Sequence, residues 1–257
     1  MLHRLGIAAV LAGAIFAGGC TEKMQADRAA FDDAFTAFQA GEWQRSADGF
    51  TKFLRSDPTS ESRGEVYYYR GEALVRLNRR SEAMADFQRA IGAPARQPIL
   101  AFSQVAIGNL NYEEGYDVKA VEYYAEAMKG PQDDLPMDRV MLRLGISLQR
   151  LGQWPMADKY FDRVVDRFPE TAAAVEARRR VHTTAFAIQT GAFTTPSAAQ
   201  YESERLRAAG YEVHLGEAVR NGQVLHTVQV GRARNYVEAQ ALGRRLAESG
   251  FSALIVP

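Results

Sequence analysis

Aromatic and small residues recur along the chain with one long period. An aromatic residue returns every 37 positions, and a small residue precedes each aromatic by four positions, on the same helix face. A second series of small residues keeps the same step. A period of this length predicts a stack of helical pairs, because one pair cannot bury its apolar face alone. The three series are Phe50, Phe87, Tyr124 and Phe161; Ser46, Ala83, Ala120 and Ala157; and Ala34, Gly71, Gly108 and Gly145.

The pattern changes after residue 184, where apolar and polar residues alternate as they do in a strand. Strands are predicted over residues 186–190, 211–215, 224–230 and 252–256. The turn sequence Asn221-Gly222 joins the second strand to the third. Helices are predicted between Thr195 and Gly210 and between Asn235 and Gly250 from their capping and terminating residues. The order β-α-β-β-α-β is a ferredoxin-like α+β arrangement.

This module also contains an internal duplication. Residues 188–191 and 228–231 share an aliphatic-Gln-x-Gly pattern, 40 residues apart. Both segments should be central strands of the sheet. We therefore expect Gln189 and Gln229 to lie side by side on its open face.

The first residues have the features of an export signal. His3 and Arg4 precede a short apolar run over residues 5–16, and small residues 17–19 precede Cys20. The segment resembles the bacterial lipoprotein signal. That resemblance implies cleavage before Cys20 and attachment of acyl chains to its thiol and new amino group. The alternative is an ordinary signal peptide with an incidental cysteine.

The composition narrows the function classes. Lys plus Arg and Asp plus Glu both total 31, so no net charge favours nucleic acid as a partner. The single cysteine excludes an intramolecular disulfide and a zinc site built from paired cysteines. The four histidines are scattered without the spacing of metal ligands. We expect no metal and no cofactor.

The long repeat is similar to the tetratricopeptide repeat. Repeats two and three depart from that family at the terminal proline, where Ala95 and Gln132 stand. The resemblance implies an all-α solenoid whose concave surface holds a partner protein. Repeat four matches the family positions best, through Gly145, Gly152, Trp154, Ala157, Phe161 and Pro169.

In that family the first helix of each repeat lines the inner curve. The residues implied at the partner groove mix an aromatic ring with both signs of charge, which suits a peptide or protein. They are Tyr68, Glu72, Arg76, Asn109, Arg139, Arg143 and Arg150. The last three either hold an acidic segment of the partner or form an ordinary solvated helix face. We expect Tyr67 in the core, and Trp43 and Trp154 as packing residues.

The carboxyl-terminal module resembles the sporulation-related repeat (SPOR) domain, whose hallmark is this internal duplication with a Val-Gln-x-Gly start. The resemblance implies binding of peptidoglycan, with a preference for denuded glycan strands, from which amidases have removed the stem peptides. Gln189 corresponds to a glycan-contacting glutamine of the family. A carboxamide both donates and accepts hydrogen bonds, which suits sugar hydroxyl and acetamido groups.

The module departs from the family at three positions of the implied site. Ala192 stands where the family has serine, and Leu225 and Thr227 stand where an aromatic residue and an arginine are often found. We expect weaker or altered glycan binding. The predicted glycan-binding set is Gln189, Ala192, Leu225, Thr227 and Gln229. Alternatively, the two glutamines are solvated polar residues of an open face.

Catalysis and nucleic-acid binding are not expected. The sequence has no His-Glu-x-x-His or Gly-x-Ser-x-Gly pattern and no phosphate-cradling glycine loop after a strand. RNA-binding modules of this strand order carry aromatic residues on the two central strands. Here the outward positions are Ala187, Gln189, Thr227 and Gln229.

These observations predict a multidomain chain. A signal peptide over residues 1–19 and a lipidated linker over 20–26 precede a tetratricopeptide-like domain over 27–182, with four repeats and a capping helix, and a SPOR domain over 185–257. We expect a periplasmic lipoprotein scaffold that Cys20 holds in the inner leaflet of the outer membrane, the inner membrane being the alternative.

The expected partners are peptidoglycan, the lipid membrane and an unidentified periplasmic protein, in cell division or envelope maintenance. The alternative function is a protein-only envelope assembly scaffold whose SPOR domain no longer binds glycan.

Overall fold

The computed structural model describes residues 28–56, 62–93, 99–130 and 134–257. The predicted export signal, Cys20, the linker over 20–26 and the repeat-end positions Pro58, Ala95 and Gln132 lie outside these residues. The described helices of the repeat region are α1 (28–39), α2 (Trp43–Ser56), α3 (Arg63–Arg76), α4 (Arg80–Gly92), α5 (Ile99–Glu114), α6 (Asp117–Ala127), α7 (Met137–Arg150), α8 (Trp154–Arg167) and α9 (Ala172–Arg180).

The chain divides into two compact units. The first contains α1–α5 and the end of α6, and the second begins with Gly115–Val121 and continues from Pro136 to Pro257. The second unit therefore holds repeat four together with the carboxyl-terminal module. None of the helices in the described residues is both long enough and apolar enough to cross a membrane.

In repeats two to four, residues that recur every 37 positions pack against one another. A Cβ atom placed on Gly71 would lie 2.6 Å from the ring of Phe87, one on Gly108 would lie 2.7 Å from Tyr124, and one on Gly145 would lie 2.6 Å from Phe161. These rings are fully buried. Each glycine on the first helix thus makes the hollow that the aromatic ring of the second helix fills.

The prediction for Tyr67 is wrong. Tyr69, two positions later on α3, joins the core of repeat one, where its ring centroid lies 4.9 Å from that of Phe35 and 6.2 Å from that of Phe50. The ring of Tyr67 instead faces the guanidinium groups of Arg70 and Arg89, at 5.7 and 5.8 Å. Consecutive tyrosines on a helix point about 100° apart, so only one could enter that core.

The carboxyl-terminal module has the predicted order of elements. They are β1 (Phe186–Phe193), α10 (Pro196–Ala208), β2 (Val213–Arg220), β3 (Gln223–Ala233), α11 (Tyr236–Glu248) and β4 (Leu254–Val256). The sheet is antiparallel with strand order β2-β3-β1-β4, so the two duplicated segments are its central strands. Asn221 and Gly222 both adopt positive φ, 52° and 76°, as the two-residue turn requires.

Helix caps fix the ends of α10 and α11 as predicted. The Thr195 side chain accepts a hydrogen bond from the backbone N–H of Ala198, and Asn235 accepts one from Glu238. Gly210 and Gly250, just past the two helices, have φ values of 85° and 80°. That left-handed conformation is one that glycine adopts without strain, so both helices end there.

Trp154 of repeat four belongs to the core of the carboxyl-terminal module. Its ring centroid lies 5.0 Å from that of Phe186 on β1, and its indole N–H donates a hydrogen bond to the carbonyl oxygen of Arg234, 2.9 Å away. A Cβ atom on Gly152 would lie 3.0 Å from the same oxygen. Repeat four and the module therefore share one hydrophobic core.

The segment between α9 and β1 is held at several points. The Gln149 side chain donates hydrogen bonds to the carbonyl oxygen of Arg180 at 3.0 Å and to the Thr183 hydroxyl at 2.7 Å. The backbone N–H of His182 donates to Asp158 at 3.0 Å, and His182 has a φ of 63°. This segment breaks the helical pattern where the sequence predicted, and it is fixed to repeat four.

Candidate functional site

A row of side chains crosses the open face of the sheet. Gln189 on β1 lies directly opposite Gln229 on β3, and Gln229 lies opposite His214 on β2. On the other side, Gln189 lies opposite Leu254 on β4. Directly opposed residues in a sheet share a face, with Cβ atoms about 5 Å apart. The predicted neighbourhood of the two glutamines is confirmed, and His214 extends it. We call His214, Gln229 and Gln189 the polar row.

The opposite face of the sheet carries the core. Ile188, Val228 and Val230 are essentially inaccessible to solvent, and they pack with Leu206 of α10 and Leu246 of α11. Because successive side chains alternate between the faces of a strand, the glutamines that follow or precede these residues point away from the helices. Both glutamines are half-buried.

The next row of the open face is made of small residues. Thr227 on β3 lies opposite Ala192 on β1 and opposite Gly216 on β2. Thr227 is only 5% exposed. It stands on the outward face as predicted, but it occupies a central strand and is nearly inaccessible, and its hydroxyl lies 3.0 Å from where a Gly216 Cβ would stand. A β-bulge at Thr190 accompanies this row and turns that side chain inward, to 6% exposure.

Leu225 lies farther along the same face, opposite Ala218 in the β2–β3 hairpin. It is half-buried and stands two rows from Gln229. The predicted glycan residues thus form a strip in which the polar row is followed by small residues and then by apolar ones. The strip has no Phe, Tyr or Trp ring within its three rows of opposed residues on β1, β2 and β3.

A cleft of about 430 Å³ adjoins the polar row. Gln229 and His214 form one side, residues 182–187 form another, and Arg232 and Pro257 complete it. A volume in this range is typical of sites for small ligands. The imidazole of His214 lies 3.5 Å from a carboxylate oxygen of Glu212, and Arg232 is exposed.

Sequence reasoning missed most of this cleft. The position of His214 beside Gln229 could have been predicted from the sequence. The two-residue turn at Asn221-Gly222 sets the register of β2 against β3 and so places residue 214 opposite 229. The contribution of residues 182–184 to the cleft could not have been predicted from the sequence. Their path depends on hydrogen bonds with side chains of α7 and α8, which belong to repeat four.

The predicted partner groove begins on α3, where Tyr68, Glu72 and Arg76 follow one another at four-residue intervals on one helix face. Tyr68 stacks with Phe102 at 5.7 Å, and burial raises the pKa of its hydroxyl well above the ordinary value. Burial also raises the pKa of Glu72, although Arg76, 3.8 Å away, partly offsets it. The Arg76 guanidinium lies over the Trp43 ring at 5.8 Å.

Asn109 has a structural partner. Its side-chain oxygen accepts a hydrogen bond of 2.8 Å from the hydroxyl of Tyr124, the buried aromatic residue of repeat three. Its acceptor is therefore engaged in holding the repeat together.

The three arginines of repeat four have different surroundings. Arg139 is exposed and Arg143 is half-buried, whereas Arg150 is 5.3 Å from the ring centroid of Tyr236 in α11 and 3.4 Å from Asp117. Arg150, predicted to line the partner groove, thus also contacts the carboxyl-terminal module. Burial raises the pKa of Asp117, and the charge of Arg150 opposes that shift.

Within the described part of the chain, no group of three His, Cys, Asp or Glu side chains could hold a metal ion.

Comparison with protein families agrees with this geometry. Residues 183–257 match the family model of the SPOR domain. The chain carries a SPOR domain. Residues 139–171, which cover α7 and α8, match a tetratricopeptide repeat. The SPOR domain belongs to a family of glycan-binding modules and the repeats to a family of protein-interaction modules, and both are binding rather than enzymatic families. No sequence among curated proteins matches the chain.

Solved structures resemble the chain in fold. A tetratricopeptide repeat protein from Parabacteroides merdae is 14% identical, with a TM-score of 0.53, over 72% of this chain and 65% of its own. MamA AMB-1 is 16% identical with a TM-score of 0.49, over 60% of this chain and 78% of its own. The described elements and the two family matches together give a tetratricopeptide-like helical solenoid followed by an α+β SPOR domain.

Proposed function

We propose that this chain is a periplasmic lipoprotein scaffold whose SPOR domain binds denuded peptidoglycan glycan strands along the polar row, and whose repeats bind a protein partner. The observation that carries the proposal is the cross-strand alignment of Gln189, Gln229 and His214 beside the cleft. Two carboxamides and an imidazole side by side offer donors and acceptors for the hydroxyl and acetamido groups of successive sugars.

The membrane anchor of the proposal rests on the sequence before Cys20. Acyl chains on that residue, at about 0.8 kcal/mol per buried CH₂, would hold the scaffold at the membrane, and the outer membrane is the proposed site. Anchoring raises the effective concentration of the SPOR domain beside the peptidoglycan layer. A modest affinity of the domain for glycan is then enough to keep it bound there. A role in cell division or envelope maintenance is proposed from the family of the domain.

Co-sedimentation of the full chain with cell-wall sacculi tests the glycan proposal. The isolated domain is unsuitable, because Trp154 supplies part of its core. We expect binding that rises after an amidase has stripped the stem peptides, and a fall of about tenfold in affinity for Gln189→Ala or Gln229→Ala, since each loses one or two hydrogen bonds. Gln240→Ala, on the exposed face of α11, is the matched control.

The same experiment addresses the alternative function. The apolar end of the strip, with Leu225 opposite Ala218, favours a protein ligand over a sugar chain. If the full chain sediments with neither intact nor stripped sacculi, the glycan proposal is wrong and the SPOR domain is a protein-docking module. Unchanged sedimentation of both glutamine variants would remove the polar row from the site.

A further inference from the structure

Strand β2 is an open edge of the sheet. It pairs on one side with β3, and no other described strand pairs with it. Every residue from His214 to Arg220 is exposed. An exposed edge of this length offers unpaired backbone groups to another strand.

The hairpin formed by β2 and β3 also extends past the rest of the sheet. Its last pairs, from Ala218–Leu225 to Arg220–Gln223, have no partner on β1, which ends opposite His226. Val219 and Val224 oppose each other there and are 74% and 47% exposed, and Leu215 is 48% exposed. These three residues lie on one face, so the edge carries an apolar surface that is not covered by the described chain.

The backbone of β2 determines which of its groups face outward. The carbonyl oxygen of Glu212 accepts a hydrogen bond from the Gly231 N–H, so the backbone groups of residue 212 point towards β3. In an antiparallel pair this direction alternates along the strand. The outward groups are therefore those of Val213, Leu215, Glu217 and Val219.

We propose that β2 pairs antiparallel with β2 of a second copy of this chain, with Gly216 facing its symmetry mate. This register joins the outward backbone groups of Val213 to those of Val219. It also places Glu212 opposite Arg220, twice in the symmetric pair. A dimer of this kind is isologous and closed.

The charges of the strand select this register over its neighbours. A shift that keeps the same faces but puts Glu217 opposite itself would juxtapose two carboxylates, and it would place His214 opposite Arg220. Like charges in directly opposed positions destabilise a sheet. Shifts by an odd number of residues would set outward backbone groups against inward ones, so their hydrogen bonds would be lost.

The joined sheet would have eight strands, four from each copy, with both polar rows on the same face. The pairing itself is independent of what the polar row binds. Where the proposed function holds, two rows on one surface would engage one glycan network with a higher apparent affinity than either alone.

Sedimentation equilibrium of the full chain, kept in detergent, tests the proposal by charge exchange. We expect the wild type to dimerise, and Glu212→Arg or Arg220→Glu each to raise the dissociation constant by about tenfold or more, because both ion pairs become repulsive. The double variant Glu212→Arg/Arg220→Glu should restore dimerisation. An equimolar mixture of the two single variants should form mixed dimers, since each then supplies the charge that the other needs.

Arg244→Glu, at an exposed position of α11, changes the net charge by the same amount as Arg220→Glu and should leave the dimer intact. Circular dichroism shows whether each variant is folded, and the rescue by the double variant separates a lost contact from a lost fold. A wild-type chain that stays monomeric at the highest accessible concentration would overturn the proposal. A dimer that neither single variant weakens would also overturn it.

Discussion

The indole N–H of Trp154 donates a hydrogen bond to the carbonyl oxygen of Arg234, 80 residues away along the chain. Trp154 opens α8 of the last repeat, and Arg234 stands between β3 and α11 of the SPOR domain. The hydrogen bond therefore joins the last helical repeat to the SPOR domain, and both lie inside one compact unit.

Replacing Trp154 should loosen the SPOR domain as well as the repeat. Trp154→Phe keeps an aromatic ring but leaves the Arg234 carbonyl without its donor, at a cost of about 1–3 kcal/mol in the free energy of unfolding. Trp43→Phe, at the equivalent position of repeat one, is the matched control, since Trp43 packs on Phe38 within its own repeat. Hydrogen exchange of β1 and α11 amides should accelerate in the first variant and not in the second.

The glycine-to-aromatic packing of the repeats makes a second prediction. Gly145→Ala places a methyl group 2.6 Å from the Phe161 ring, which is fully buried and cannot move away, so we expect a loss of about 1–3 kcal/mol in stability. Gly92→Ala is the control, because nothing lies within 4 Å of its added Cβ atom. Urea unfolding of both variants measures the difference, and equal midpoints would contradict the packing rule.

The buried carboxyl group of Glu72 should make stability depend on pH. Its pKa is raised in the folded protein above the ordinary 4.5, so the folded state holds its proton more tightly than the unfolded state does. This group therefore favours folding below pH 4.5, and that contribution is lost as the pH rises through the raised pKa. Glu72→Gln should accordingly gain stability relative to the wild type on going from pH 4 to pH 7.

Glu82 should give the opposite dependence of stability on pH. Its hydrogen bond with Arg79 lowers its pKa, so its contribution is present above the ordinary pKa and is lost as the pH falls. Urea unfolding at the two pH values should show Glu82→Gln losing stability relative to the wild type as the pH rises. The same pH trend in both variants would contradict the assignment of burial as the cause at Glu72.

Cys20→Ala tests the anchor. We expect the variant to appear in the soluble periplasmic fraction, and the wild type in the membrane fraction, because the proposed acyl chains would attach to the replaced thiol. Replacement of Thr21 by Ser, one residue on, is the control for changes in signal processing. If the Cys20 variant stays in the membrane fraction, the anchor does not depend on this residue.

Local signals predicted the elements of this fold well. The repeat period identified Gly145 and Phe161 as members of the packing pattern, and the turn at Asn221-Gly222 set β2 beside β3, because each signal acts within one pair of elements. Trp154 was predicted only as a packing residue, since the period says nothing of contacts 80 residues away along the chain.

The site was predicted less completely. Strand alternation located Gln189 and Gln229, but it could not show that Thr227 would be nearly inaccessible. Alternation assigns a residue to a face, whereas exposure depends on the neighbouring strands and on the bulge at Thr190. For the same reason Arg150 was assigned to a groove by its repeat position, although its ring contact is with Tyr236.

The hydrogen bonds that hold residues 180–183 have a mechanical meaning. A load applied at the open face of the sheet would pass through Phe186 and Trp154 directly into α8, in parallel with the backbone between α9 and β1. A flexible linker, by contrast, would have to extend before it transmitted force. Here force on the SPOR domain would reach repeat four at once, and the Trp154–Arg234 hydrogen bond would carry part of it.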